Sequence, residues 1–324
     1  MPEVTMAQAL NTALKDSLAE DDRVLVLGED VGKLGGVFRI TQGLQAEFGE
    51  ERVFDTPLAE SGIAGVSVGL ALAGWKPVAE MQFDAFSYPA LDQVISHVAR
   101  YRHRSRGSAT IPMVIRIPSA GGIGAAENHS DSPDVLYAAV PGLKVVMPSN
   151  PLDAYTMLRQ AIADPDPVVF LEPKSRYWMK ADGDLKETGM PLGRARIVRE
   201  GDGATLIAWG AMVTRCLEVA DIAAADGVEL EVVDLRSLAP LDLETIAVAV
   251  RQTGRAVIVH EAPMTMGPGA EVSARIMEDC FEWLEAPVTR VTGYDTPYPP
   301  ATIEHHYVPS VDRILRAVER VLTY

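Results

Sequence analysis

The stretch VFDTPLAESGIAGVSVGLALAGWKPVAEMQFDAF, from Val53 to Phe86, sets the architecture of this chain. Its first half predicts a helix, because Thr56 can cap a helix and Pro57 suits the first helical position. From Ser61 onward the residues are apolar or small on every face of that helix. A helix without a polar face must be buried, either between layers of the fold or between subunits.

Small residues form a stripe along this helix. Gly65, Gly69 and Ala73 recur at every fourth position, and Gly62 precedes them. A glycine costs a helix interior about 1 kcal/mol relative to alanine, so three glycines need a packing reason. The stripe therefore predicts that another backbone packs close against the helix.

Glu60 is the only charged residue between Asp55 and Lys76. One interpretation is an acid in the first helical turn, where it favours the positive end of the helix dipole by a few tenths of a kcal/mol. The other is a carboxyl group that is surrounded by apolar neighbours and exchanges a proton with a ligand. Its position alone does not choose between them.

The composition is that of a globular, acidic chain. At 324 residues, with 48% hydrophobic and 23% charged residues, the chain is long enough for two domains with sizeable cores. A net charge of −16 argues against nucleic acid and an anionic membrane as partners, and suits a basic protein partner. The two cysteines cannot form a disulfide framework. Without a signal-peptide or membrane-span pattern, the chain is expected to be cytoplasmic.

Strand and helix patterns alternate along most of the chain. Short apolar strands, the first at Val24–Leu27, are separated by helical patterns, and a second such series begins at Ala204. This alternation predicts an α/β chain with two mainly parallel sheets. A polar, glycine-rich segment near 182–193 is expected to join two domains, residues 1–185 and 194–324.

Two polar side chains follow predicted strands, where ligands of open α/β sheets gather. Glu29 follows the first strand, and His129 lies in the loop after the third. Each can equally be structural, as a solvated acid or a hydrogen-bonding loop histidine. Gly122-Ile123-Gly124 imitates a dinucleotide fingerprint, but Glu127 stands where the third glycine belongs. A nicotinamide dehydrogenase of the Rossmann type is therefore disfavoured.

The motifs of the chain, taken in order, resemble those of one family, and the resemblance covers nearly the whole length. These motifs are LGEDVGKLGGVFR from Leu27, DTPLAESGIAG from Asp55, PVAEMQFDAFSYPALDQ from Pro77, NHSDSPD from Asn128, PGLKVV from Pro141, DPVVFLEP from Asp166, VVDLRSLAPLD from Val232 and GYDTPYPP from Gly293. The family is the beta chain of the decarboxylating component of 2-oxo acid dehydrogenase complexes. Its details lean toward the branched-chain type.

The resemblance implies a domain that faces the pyrimidine of thiamine diphosphate and a transketolase-like C-terminal domain. It also implies a tetramer of two alpha and two beta chains, in which a Gly-Asp-Gly motif and later asparagines of the alpha chain hold the diphosphate and Mg²⁺. Gly201-Asp202-Gly203 imitates that motif, but the asparagines Asn11, Asn128 and Asn150 all precede it. The alpha chain is therefore expected to hold the diphosphate and the metal.

The resemblance also assigns site residues. Glu60 matches the glutamate that hydrogen-bonds the pyrimidine and promotes proton loss from the cofactor, and Phe86 matches an aromatic residue that stacks on this ring. His129 matches a histidine that assists acyl transfer to a lipoyl arm, by donating a proton or stabilising an intermediate. The remaining expected residues form a cofactor shell (Glu29, Leu58, Ala59, Gln82), a substrate side shared with His129 (Ser87, Tyr88, Pro89) and a potassium site (Met113, Ala161, Ile162, Asp164, Asp166).

Two alternatives stay open. A pyruvate or acetoin dehydrogenase beta subunit belongs to the same family but acts on a different substrate. A non-catalytic assembly subunit would explain the small-residue helix and the acidic surface, yet it would need neither Glu60, Phe86 nor His129. The expected function is oxidative decarboxylation of a branched-chain 2-oxo acid, in a complex with an acyltransferase core that carries a lipoyl domain.

Overall fold

The computed structural model of the chain describes residues 3–186 and 189–324. Residues 187 and 188 of the expected linker, and residues 1 and 2 of the expected first domain, lie outside the described residues. Within the described part, no helix is both long and apolar enough to cross a membrane.

Strands and helices alternate along the chain. The strands are β1 (Val4–Thr5), β2 (Val24–Gly28), β3 (Val53–Asp55), β4 (Lys76–Glu80), β5 (Val114–Ser119), β6 (Lys144–Val146), β7 (Val168–Pro173), β8 (Lys180–Ala181), β9 (Arg196–Arg199), β10 (Ala204–Ala208), β11 (Leu230–Asp234), β12 (Ser237–Ala239), β13 (Ala256–Pro263) and β14 (Thr289–Gly293). The α-helices are α1 (Met6–Glu20), α2 (Leu44–Phe48), α3 (Glu60–Leu72), α4 (Leu91–Gln93), α5 (Tyr101–Arg104), α6 (Asp134–Ala138), α7 (Pro151–Ala163), α8 (Ala211–Ala225), α9 (Leu243–Thr253), α10 (Pro268–Cys280), α11 (Glu304–Tyr307) and α12 (Val311–Leu322).

The larger sheet has seven strands in the order β12-β6-β7-β5-β4-β2-β3. Every neighbouring pair is parallel except β12 and β6, which run antiparallel. β2, β5 and β7 are buried along their whole length, as expected of parallel strands that are covered on both faces. β12 comes from the second half of the chain, so it joins that half to the edge of this sheet.

The second sheet has five strands in the order β14-β13-β10-β11-β9. Its pairs are parallel except for β9, which runs antiparallel to β11. A separate antiparallel pair joins β1 to β8 near the start of the chain. The predicted α/β architecture with two mainly parallel sheets is therefore confirmed.

The helix predicted to begin at Pro57 begins later, at Glu60, with Ala59 as its N-cap residue and no side-chain cap. The predicted start was wrong because Thr56 is tied to the sheet edge. Its amide donates to the carbonyl of Gly28 at 2.9 Å, which continues the β2–β3 pairing by one residue. The segment around Pro57 is thus held outside the helix, and the turn of the chain places Glu60 in the first helical position.

α3 packs one face against the fold and leaves the other exposed. Its buried residues include Ile63, Ala64 and Ala71, whereas Val66 is 56% exposed. A Cβ atom at Gly69 would meet no other atom within 4 Å. The close backbone that the glycine stripe predicted is therefore not supplied by the described part of this chain.

Two arginines and one aspartate join the halves of the chain. Asp153 on α7 pairs with Arg196 at 3.1 Å and with Arg236 at 3.2 Å. Asp153 and Arg236 are both almost fully buried. Removing one partner of a buried ion pair leaves the other charge uncompensated, which strongly destabilises the fold. These contacts therefore hold the two sheets in a defined arrangement.

His260 on β13 is fully buried and stacks on Trp209, with ring centroids 5.1 Å apart. Neither of its ring nitrogens has a hydrogen-bond partner among the described residues. A Cβ atom at Gly269 would lie 2.6 Å from His260 Nε2, which explains a glycine there. Burial lowers the pKa of His260 to about 4, so the ring is neutral at physiological pH.

We predict that His260 makes the fold sensitive to mild acid. The folded chain excludes a proton that the unfolded chain binds below about pH 6.5, so stability is lost as pH falls from about 6.5 to about 4, by roughly 3 kcal/mol. His260→Leu removes this loss. Urea unfolding at about pH 7 and about pH 4 should therefore show a smaller acid effect in the variant than in the wild type, and equal acid effects would contradict the prediction.

Candidate active site

Three segments that carry expected site residues meet at one edge of the seven-stranded sheet. β2 lies between β3 and β4, so the carboxyl ends of three parallel strands are neighbours. Glu29 directly follows β2, Glu60 begins the helix after β3, and Gln82 lies just beyond β4. The structure thus brings together residues that the sequence placed after separate strands, at the edge where α/β sheets bind ligands.

Glu29 and Glu60 place two carboxyl groups at this edge, where the residues are only 6% and 8% exposed. Burial raises the pKa of Glu29, and the charges of Glu60 and Asp30 raise it further. The buried Oε1 of Glu29 has no hydrogen-bond partner among the described residues. Since buried polar atoms are normally paired, this oxygen fits a hydrogen-bond donor that comes from outside the chain.

The other expected members of the cofactor shell flank these carboxyl groups. The amide nitrogen of Gln82 donates to Asp30 Oδ2 at 2.8 Å. Leu58 is 79% exposed and Ala59 is also exposed, immediately before Glu60. The start of α3 therefore presents an apolar surface beside the carboxyl pair.

Phe86 and His129 are brought together from two different loops, with ring centroids 5.0 Å apart. Phe83 completes the cluster and lies 4.2 Å from His129 and 5.5 Å from Phe86. The rings meet nearly edge to face, a favourable geometry for aromatic pairs. His129 Nδ1 bonds the side-chain oxygen of Asn128 at 2.8 Å, which leaves Nε2 for a ligand.

A buried ion pair anchors the turn that carries Phe86. The Lys174 ammonium contacts the Asp84 carboxylate, and neither side chain is accessible to solvent. Asp84 also accepts a hydrogen bond from the amide of Ala85 at 3.0 Å. Burial raises the pKa of Asp84 to about 6 and lowers that of Lys174, so each group depends on the other to remain charged.

The three residues expected on the substrate side differ in exposure. Ser87 is fully buried, and its hydroxyl accepts a hydrogen bond from Tyr137 at 2.7 Å. The Tyr88 hydroxyl donates to the Asp131 carboxylate at 2.6 Å, and Pro89 is exposed. Contact between these residues and a substrate stays a prediction.

The residues expected to bind potassium come together beside the end of α7. Ala161 and Ile162 are buried in its last turn, and the carbonyl of Met113 accepts a hydrogen bond from Val168 at 3.0 Å. Asp164 and Asp166 follow directly.

Both of these aspartates are paired with basic side chains. Asp164 contacts Lys144 at 2.5 Å, and Asp166 contacts Arg102 at 2.6 Å. In the described part of the chain, no three acidic, histidine or cysteine side chains converge as a metal site. Backbone carbonyls are thus the donors that a potassium ion would use, and this site stays a prediction.

Sequence reasoning missed the buried ions beneath the strand ends. Arg116 on β5 is fully buried and contacts Glu80 at 2.5 Å and Glu172 at 2.7 Å. The Asp84–Lys174 pair was missed as well. The available signal was a charged residue inside an apolar strand, as Arg116 is in VIRIPS, because a buried charge requires a partner.

Comparisons with known proteins show the fold and the family of this chain. The chain matches the transketolase pyrimidine binding domain over residues 2–179 and the transketolase C-terminal domain over residues 193–314. A solved structure described as a split-gene transketolase, an inactive beta4 tetramer, superimposes with a TM-score of 0.82 at 24% identity, covering 99% of this chain and 98% of that one. The two family models and the fold thus define a transketolase-like protein, a class that implies thiamine diphosphate as cofactor.

Sequence relatives narrow the class. The chain is 55% identical over 320 residues to the 3-methyl-2-oxobutanoate dehydrogenase subunit beta of Mycobacterium tuberculosis, covering 98% of this chain and 92% of the relative. It is 52% identical to the pyruvate dehydrogenase E1 component subunit beta of Leifsonia xyli, covering 98% and 95%. It is 47% identical to the 2-oxoisovalerate dehydrogenase subunit beta of Pseudomonas aeruginosa, also covering 98% and 95%. The chain belongs to the family of 2-oxo acid dehydrogenase beta subunits.

We predict that Asp84 and Lys174 are energetically coupled. Lys174→Met leaves a buried carboxylate without a cation and should lower the free energy of unfolding by about 3–5 kcal/mol. Adding Asp84→Asn removes the orphaned charge, so the double variant should be more stable than the sum of the single losses predicts, by at least about 1 kcal/mol. Urea unfolding of the four proteins measures this coupling, and strictly additive losses would rule it out.

Proposed function

We propose that the chain is the beta subunit of a 2-oxo acid dehydrogenase that decarboxylates a branched-chain 2-oxo acid and passes the acyl group to a lipoyl arm. The observation that carries this proposal is the unpartnered buried oxygen of Glu29 beside the carboxyl group of Glu60. Two of the relatives are named for branched-chain 2-oxo acids, which supports this substrate class.

The residues at the sheet edge fit the pyrimidine ring of thiamine diphosphate. Glu29 offers an unpartnered acceptor, and Phe86, packed against His129, is the aromatic ring expected to stack on the pyrimidine. When bound, the cofactor supplies the electron sink that decarboxylation requires. Glu60 would hold and release a proton at the pyrimidine, because α3 fixes its backbone and its apolar surroundings strengthen the hydrogen bond. Burial and the charges of Glu60 and Asp30 raise the pKa of Glu29, so this group holds a proton more readily than a free glutamate does.

His129 would serve the second half of the reaction. Its ring is oriented by Phe83 and Phe86 on its sides and by Asn128 at Nδ1. A histidine held in this way can deliver a proton from Nε2 to a lipoyl sulfur as the acyl group is transferred. An acyltransferase core with a lipoyl domain is therefore the second partner that we propose.

The first partner is an alpha subunit that covers the bare face of α3. This face carries Val66 and Leu72 in exposed positions next to the glycine stripe, and the exposed Leu58 precedes the helix. Small residues allow a second helix to approach closely, and burying an apolar face of this kind stabilises an obligate complex. The alpha subunit would also hold the diphosphate and Mg²⁺, in a tetramer of two alpha and two beta chains.

Three finer points complete the proposal. A potassium ion would bind backbone carbonyls beside Asp164 and Asp166. The chain would divide into a pyrimidine-facing domain, residues 1–185, and a C-terminal domain, residues 194–324.

Pyruvate is a second candidate substrate, because one relative is named a pyruvate dehydrogenase subunit. A panel of 2-oxo acids assayed with the reconstituted complex would distinguish pyruvate from a branched-chain 2-oxo acid.

We predict that Glu60→Gln abolishes most decarboxylation without disturbing assembly. The amide cannot exchange a proton with the cofactor, so the rate should fall by about 10²-fold or more. The assay uses the chain with its alpha subunit, thiamine diphosphate and Mg²⁺, beside the chain alone, which should be inactive. Near-normal turnover in an assembled variant would show that Glu60 is only a helix-end acid.

We predict that His129→Ala separates the two half-reactions. Decarboxylation with an artificial electron acceptor should fall less than transfer to a lipoyl domain, by roughly 10²–10⁴-fold in the ratio of the two rates. The difference arises because only transfer needs a proton at a lipoyl sulfur. His103→Ala, at an exposed histidine of α5, is the matched control and should leave both rates unchanged. Equal losses in both assays would contradict the prediction and show that His129 has only a structural role in the loop.

A further inference from the structure

The loop from Ala120 to Asp131, here called the histidine loop, carries His129 and is closed at its base. The amide of Ala120 donates to the carbonyl of Asp131 at 2.8 Å. The two ends of the loop therefore meet beside the end of β5. A displacement of one limb consequently shifts the other, which includes His129.

A glutamate from the far end of the chain holds the first limb of this loop. Glu304 Oε1 accepts a hydrogen bond from the amide of Gly122 at 2.7 Å, and Glu304 Oε2 accepts one from the amide of Gly124 at 3.0 Å. The Tyr298 hydroxyl donates to Glu304 Oε1 at 2.6 Å, which orients the carboxylate. Glu304 and Gly122 are 182 residues apart in sequence, so only the packing of the two halves brings them together.

The histidine loop is shaped to receive this carboxylate. Gly122 and Gly124 have φ values of +84° and +70°, in the left-handed region. Successive amides in such a conformation form a concave anion-binding surface. A Cβ atom at Gly121 would lie 1.8 Å from the Tyr298 hydroxyl, so the loop and the C-terminal segment are in direct contact. Gly122 and Gly124, which imitate a dinucleotide fingerprint, are thus explained by their contact with Glu304 and not by a bound dinucleotide.

A second acid from the C-terminal half supports the same limb. Glu261 on β13 is buried and accepts a hydrogen bond from the amide of Gly121 at 3.1 Å. The amides of Gly121, Gly122 and Gly124 are therefore all bound by side chains of the second half of the chain. His129 lies in a loop of the first half of the chain, and the second half provides the hydrogen-bond acceptors that hold this loop.

We propose that Glu304 is a positioning residue for His129, which it holds in the orientation needed for acyl transfer by binding the amides of Gly122 and Gly124. The carboxylate suits this task because it is an acceptor at both oxygens, and hydrogen bonds to a charged acceptor are about twice as strong as neutral ones. The effect on acyl transfer rests on the proposed function of His129, whereas the effect on the loop does not.

Glu304→Gln tests the inference, because glutamine keeps the shape but presents a donor to one of the two amides. In the assembled complex with the alpha subunit, hydrogen–deuterium exchange of residues 120–131 should rise by about tenfold, the scale of a lost charged hydrogen bond. The kcat for transfer to a lipoyl domain should fall by about tenfold, while the KM for the 2-oxo acid and the rate with an artificial acceptor change by less than about twofold. Glu282→Gln, at an exposed glutamate of the same half, is the matched control and should leave all of these unchanged.

Two results would overturn the inference. One is unchanged exchange in the histidine loop of a folded Glu304→Gln complex. The other is faster exchange with no change in the ratio of lipoyl transfer to artificial-acceptor rates. Tyr298→Phe is a second variant. It removes the hydroxyl that donates to Glu304 and that also accepts from the amide of Gly122 at 3.2 Å, so it should change loop exchange and lipoyl transfer in the same direction. Because the exchange measurement uses no substrate, it tests the contact even if the complex acts on another compound.

Discussion

The rest of the structure depends on one constraint, which is that α3 has apolar surface on opposite sides while this chain covers only one of them. Ile63 and Ala64 pack into the core, but Val66 faces outward, and Gly69 has open space beside it. Exposure of such an apolar face to water is unfavourable, so a partner is expected to cover it. The same helix begins with Glu60, so the exposed apolar face adjoins the carboxyl pair that we propose binds the cofactor.

Buried charge is the second organising feature. Arg116 and Lys174 each place a cation beneath the carboxyl ends of the parallel strands, and each is met by carboxylates from other strands or turns. Such pairs add little net stability relative to apolar residues, but they are costly to break on one side. They therefore restrict how the turn with Phe86 can sit on the sheet, and a rigid first layer of this kind is what a catalytic site requires.

The C-terminal half of the chain acts as more than a second domain beside the first. It contributes β12 to the edge of the larger sheet, and Arg196 and Arg236 bind Asp153 on α7. It also contributes Glu304, which holds the histidine loop from outside. The loop with His129 is thus supported by its own sheet at the base and by the other half of the chain along one limb.

Local sequence pattern accounts for most of the fold, because apolar periodicity acts over short distances. The strands and the parallel sheets could be read in this way, and Glu29, Glu60 and His129 could be named as candidates from their positions. Phe86 became a candidate only through the family resemblance. The helix start near Pro57 could not, since a hydrogen bond from Thr56 to Gly28 overrides the local capping signal. Nor could the Asp84–Lys174 pair, whose members are 90 residues apart, or the contact between Glu304 and the loop glycines. These contacts arise only when separate segments pack together, and no local propensity records which distant charge a buried group will meet.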